Sequence, residues 1–244
     1  MDVCSADEML AQLREVEHQR ALRAAEPALA ERVGALKHYQ QQRFARSYAD
    51  LLATPRYANA TRFFLEELYG PGDFSRRDAQ FARVVPALVR IFPAEVVATV
   101  GKLATLHAIS ERLDTQMGRL LSTARIDAAA YVDAWQRCGA ADQRQQQIDL
   151  TLAVGESLDK LTRKPLLRQA LRMMRGPAVA AGMAELQTFL ETGFDTFKAM
   201  RGAAEFLGTV RQREERLARA LFAADATAGA GACPAGDEVL GQLP

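Results

Sequence analysis

Three histidines, His18, His38 and His107, are the side chains of this sequence best suited to proton transfer or to ligating a metal or haem. His18 and His38 fall among charged and polar residues on exposed helical faces. His107 differs, because on a helical wheel it sits within an apolar face, one turn after Leu103, with Ser110 and Asp114 following along it. Glu111, one turn on, is in reach to pair with it. That setting suits a haem ligand or a general base in an apolar pocket. It equally suits a histidine at the edge of a core, held by a neighbouring acid or carbonyl. No second ligand or accompanying motif adjoins it, so the plainer reading is favoured, and no cofactor is expected. His107 stands as the one cofactor-contacting candidate.

The other chemical candidates are arginines. Arg76 and Arg77 occupy the first turn of an expected helix, where positive charge opposes the helix dipole by a few tenths of a kcal/mol. Glu66, Glu67, Asp73 and Asp78 are near enough to compensate them, and this local network is favoured over an anion site. Arg168, Arg172 and Arg175 share one helix face within a segment, Lys160 to Ala184, that holds no acidic residue. Such a face can meet an acidic partner, or it can pair with acids of the last helix such as Glu214 and Glu215. A nucleophile elbow, phosphate loops and the zincin motif are absent, as are the two Glu-x-x-His motifs of a di-iron bundle. The chain therefore leans away from an enzyme.

These residues must be positioned by helices. The stretch 56–92 is the least generic: a helix crowded with aromatic residues, a hard corner at Gly70-Pro71-Gly72-Asp73, and a second helix. Glycine and proline stop the first helix. Ser75 is expected to cap the second, with Asp78 closing a capping box. Within it, FFLEELYGPGDFSRRDAQFARVVPALVRIFP resembles the hallmark segment of an uncharacterised family of bacterial helical proteins. GMAELQTFLETGFDTFKAM resembles a further part of the same pattern. The resemblance implies a helical fold and carries no activity, substrate or catalytic residue.

Apolar residues recur at helical spacing through the rest of the chain, and no stretch alternates as a strand does. Pro27, Pro93, Pro165 and Pro177 are placed to open helices, and Pro86 to kink one. The fold expected is all-α, an irregular multi-helix bundle of seven to nine helices. Residues 1–55 form a long N-terminal arm or hairpin, 56–222 the core domain, and 223–244 a flexible, Gly-rich tail. A formal net charge of +1 argues against nucleic acid as a partner. Cys4, Cys138 and Cys233 have no metal spacing and suit free thiols, so with no leader or transmembrane run the cytoplasm is the expected compartment. The function expected is a non-enzymatic interaction or regulatory protein binding a protein partner or acidic surface through a helical face; a homodimer is compatible with it. The alternative is a helical small-molecule binder, of haem or an apolar ligand, with His107 near the pocket.

Overall fold

The computed structural model describes residues 5–68, 70, 72–223 and 239–244, and every regular element among them is helical. Eleven α-helices are present among these residues, more than the seven to nine expected. In chain order they are α1 (Ala6–Ala25), α2 (Pro27–Ser47), α3 (Ala49–Ala53), α4 (Ala58–Phe63), α5 (Ser75–Ile91), α6 (Ala94–Leu120), α7 (Ala128–Cys138), α8 (Ala141–Thr162), α9 (Pro165–Ala180), α10 (Ala184–Ala199) and α11 (Ala204–Phe222). Part of the surplus is α3, which is too short to show an apolar period. A π-helical turn, Phe64–Leu68, continues α4.

The longest helix, α6, is the axis, and α1, α2, α5, α7 and α8 pack on it. Ser5 starts α1 through a capping box: its hydroxyl accepts the Glu8 amide, and Glu8 accepts the Ser5 amide. Pro27 opens α2, where its missing N–H costs nothing. Met9, Leu13 and Val16 of α1, and Leu29, Val33 and Leu36 of α2, are buried at helical spacing. The hairpin expected of the first 55 residues is therefore a wall of the core. Gly118 allows the close approach of α2, since a Cβ there would stand 2.4 Å from Val33 Cγ2.

The aromatic stretch builds the other half. Phe44, Tyr48, Tyr57, Phe63 and Phe64 interlock with Phe197 and Phe206 from α10 and α11. The corner after them is made differently from the expectation. Ser75 is the first residue of α5 and caps nothing; the carboxylate of Asp73 accepts the Ser75 amide at 2.9 Å. Asp78 closes no capping box, because its side chain is turned inward. Gly70 is needed for space, since a Cβ would lie 2.2 Å from the Glu66 carbonyl oxygen. Gly72 is exposed beside the Phe74 ring, and Pro71 lies outside the described residues.

Two further expectations are corrected. Pro177 does not open a helix; α9 runs through it to Ala180, and beyond the end Gly182 has a positive φ that lets the Met183 and Gly182 amides close back on Ala178 and Val179. The last residues of the expected tail are docked. Leu243 is buried in a cluster with Tyr39, Trp135 and Leu221, and Arg46 donates to its carbonyl at 2.7 Å. Residues 224–238 lie outside the described part.

The corner yields a stability prediction. Asp73→Ala should lower stability by about 1 kcal/mol through loss of its hydrogen bond to the Ser75 amide, and Gly70→Ala by about 1–3 kcal/mol through overpacking. Denaturant melts of both variants check this; wild-type midpoints would contradict the corner described.

Candidate functional site

The space between α1–α2 and α5, α6, α8 and α10 is not filled by side chains. One cavity, of about 170 Å³, has a polar wall that includes Lys37, His107, Ser110, Asp114, Arg144 and Gln147. A second, of about 320 Å³, is almost wholly apolar and lies toward α5, α9 and α10. Both are bounded by Val100, Leu103, Leu106, Thr151, Phe189 and Leu190, so they adjoin.

Successive turns of α6 supply His107, Ser110 and Asp114 to the polar wall, and α2 and α8 supply the others named. His107 Nε2 lies 2.8 Å from Asp78 Oδ2, and the same oxygen receives Arg20 at 2.5 Å. The histidine thus takes its carboxylate from α5, across the cavity, and not from Glu111 on its own helix. Burial pushes the Asp78 carboxyl up, but His107 and Arg20 outweigh it and hold the group below its ordinary value. Glu111 is turned the other way and binds two cations, Arg23 and Lys37, each at 2.5 Å. Burial opposes its ionisation, yet Lys37 and Arg23 bring its pKa down to about 2.

Asp114, one turn further, has a weaker partner, the Gln40 amide at 3.2 Å. Burial, helped by the Glu111 charge, pushes this carboxyl above its ordinary value against the pull of Lys37 and Arg144. Ser110 links α6 to α8: its hydroxyl donates to the Leu106 carbonyl and accepts from Gln147 at 2.7 Å. Gln147 in turn accepts from Arg144 at 3.2 Å. Arg144 also reaches the Met117 sulfur at 2.9 Å and lies over the Trp135 ring, 4.0 Å from its centre.

The arginine candidates are distributed otherwise. Arg77 pairs with Glu67 at 2.9 Å and is sandwiched between the Phe74 and Phe189 rings, as the local network required. Arg76, exposed, reaches Glu185 on α10 at 3.2 Å. Arg168 pairs with Asp195 at 2.7 Å and Arg175 with Glu191. The acids facing this basic surface therefore come from α10. Glu214 instead holds Arg43 and the Tyr48 hydroxyl, and Glu215 faces Arg211. Arg172 is exposed. His18 and His38 are at the surface, as read from the sequence.

Among the described residues, no group of three or more His, Cys, Asp or Glu is arranged to hold a metal ion. No helix among them is long and apolar enough to cross a membrane. Cys138 is a free thiol raised above its ordinary pKa by burial, and Cys4 and Cys233 lie outside the described part.

Comparison with known families matches residues 19–228, most of the chain, to one described as Domain of unknown function (DUF8198). The chain belongs to that family. The match takes in α5, α6, α8 and α10, each of which lines both cavities, and both segments that carried the resemblance. Curated proteins and solved structures return no match. The DUF8198 description names a domain without an activity, so the site must be read from its own geometry.

Sequence reasoning missed Arg23, Lys37, Arg43 and Arg144. One signal was present for Arg144: Ala140, Ala141, Gln147 and Ile148, its helical neighbours, include no acid to pair with it.

The ion cluster predicts a pH signature. A carboxylate held at about 2, against an ordinary 4.5, contributes stability that is full above about 4.5 and lost as pH falls toward about 2. Glu111→Gln leaves Arg23 and Lys37 without their anion and should cost about 3 kcal/mol at pH 7. The gap between variant and wild type should close across that acid window in chemical denaturation; a gap independent of pH would contradict the pairing.

Proposed function

We propose that this domain binds a small molecule in the interior between α5, α6, α8 and α10. The observation that carries the reading is the pair of adjoining cavities, one polar and one apolar, within a helical core. Binding sites are characteristically concave and mostly apolar, with a few placed polar groups. An engineered cavity of about 150 Å³ already admits benzene, so both compartments have room for parts of a ligand.

His107 contributes as a wall of this pocket. With Nε2 occupied by Asp78, the ring is oriented for hydrogen bonding to a ligand, and the reading requires no haem. The protein acts by binding, and the cytoplasm, where a free Cys138 persists, is its proposed compartment.

A second reading, a protein partner or second copy on the surface of α9, is favoured by Leu166 and Met173. These two are 78% and 74% exposed, seven residues apart on one outward face. Charge does not support it in the form expected from the sequence. Arg163, Lys164, Arg168 and Arg175 are already paired with Asp159, Glu95, Asp195 and Glu191.

Native mass spectrometry of the protein as purified tests the first reading. The expected result is a bound mass, released on denaturation and absent from Leu103→Trp, which fills the shared wall. A bare mass, with no thermal shift from a panel of amphipathic compounds, would overturn it.

A further inference from the structure

Four cations line the polar cavity, and three of them are matched. Lys37 has Glu111, Arg43 has Glu214 and Arg77 has Glu67. Arg144 is the exception. It is 4% exposed and has no carboxylate within 4.0 Å among the described residues. Its contacts are an amide oxygen, a thioether sulfur, an indole face and the Cys138 thiol. Thioether sulfur is a weak acceptor, and removing one partner of a buried ion pair ordinarily leaves an unfavourable uncompensated charge. Asp114, across the cavity on α6, takes the Gln40 amide at 3.2 Å as its hydrogen-bond partner and stands beyond ion-pair distance of Arg144.

A second group at the same end is also unsatisfied. Trp135, which lines the cavity beside Arg144, is 9% exposed, and its indole N–H has no hydrogen-bond partner. Buried polar groups are nearly always paired. A guanidinium without a carboxylate partner and an unpaired indole N–H at one end of a cavity describe a place for an acceptor carrying negative charge.

The opposite end has the complementary character. Thr151, two turns after Arg144 on α8, borders both compartments, and the wall beyond it is Val100, Leu103, Phe189 and Leu190. A ligand running from Arg144 along α8 thus leaves a polar end for an apolar one.

Resting on the binding reading above, we infer that the ligand is a carboxylate with an unbranched apolar chain, its head on Arg144 and its tail in the apolar cavity. Head charge follows from the single unmatched guanidinium, whose fork takes a carboxylate in two parallel hydrogen bonds. A dianionic phosphate suits the site less, because Glu111 and Glu214 already line it. Glu111 and Asp78, already bonded to their own cations, do not compete for Arg144.

The chain's single tryptophan is the reporter. Dodecanoate should change Trp135 emission saturably, dodecanol should bind at least tenfold more weakly, and dodecyltrimethylammonium should leave the emission unchanged. Affinity should rise from octanoate to dodecanoate by about fourfold for each methylene buried. Arg144→Met should weaken dodecanoate at least tenfold without affecting dodecanol, and Arg144→Lys should retain part of the difference. Circular dichroism shows whether each variant is folded; if Arg144→Met is not, the head-group comparison on the wild type decides alone. Equal affinity for dodecanoate and dodecanol would overturn the assignment of the head while leaving the cavity reading standing. Absence of binding by every dodecyl compound, with a different bound mass found in the purified protein, would overturn the ligand class alone.

Discussion

Glu111 sits near the middle of α6, the helix on which the rest of the fold is laid, and its side chain is 6% exposed. A carboxylate in that position is tolerable only because Arg23 and Lys37 approach it from two different helices. Neither cation is local: the pairs join residues 88 and 74 positions apart. The requirement runs both ways, because Arg23 of α1 and Lys37 of α2, turned toward α6, need this anion. The hairpin is consequently fixed in position along α6, with Met9, Val16 and Leu29 wholly covered. Buried ion pairs are weak evidence for stability in itself, but breaking one is costly. Here the effect is to specify which faces of three helices meet.

Once α6 is held on that side by charge, its other side cannot be closed by ordinary apolar packing. His107, Ser110 and Asp114 occupy successive turns there, and each needs a polar partner from α5, α8 or α2. Side chains of that kind keep helices apart and leave a polar space. The aromatic half of the molecule, organised by Phe63, Phe64 and Phe197, packs separately, and the apolar cavity lies where the two halves adjoin. Arg144 stands at the polar end, matched by no acid.

How much of this was legible follows from the range of each interaction. Helix class and most boundaries depend on neighbours within about four residues, through apolar period, capping and proline, and those can be read from the chain. The corner was only half legible, because Asp73 and Ser75, two residues apart, can each accept an amide at the start of α5, and the closeness of the Glu66 carbonyl to Gly70 is not written in the sequence. Pro177 misled for a similar reason: a proline near a helix end and one at a helix start look alike in sequence. The site was mostly hidden. His107 was visible as an oddity on an apolar face, but its partner comes from α5. Arg23, Lys37, Arg43 and Arg144 look like the other arginines and lysines of a solvated helix until the helices opposite are known. The basic face of α9 shows the converse, since it looked unmatched in sequence and meets Asp195 and Glu191 in the fold.

The account stands on α1 and α2 being part of the same cooperative unit as α6, joined through Glu111. Native-state hydrogen exchange of the whole chain, followed helix by helix, measures this directly. The buried amides of α1, α2 and α6 should exchange with one common free energy of opening, equal to that of global unfolding. An α1–α2 hairpin that opens at markedly lower free energy, while α6 stays protected, would contradict it and make the hairpin an appended arm.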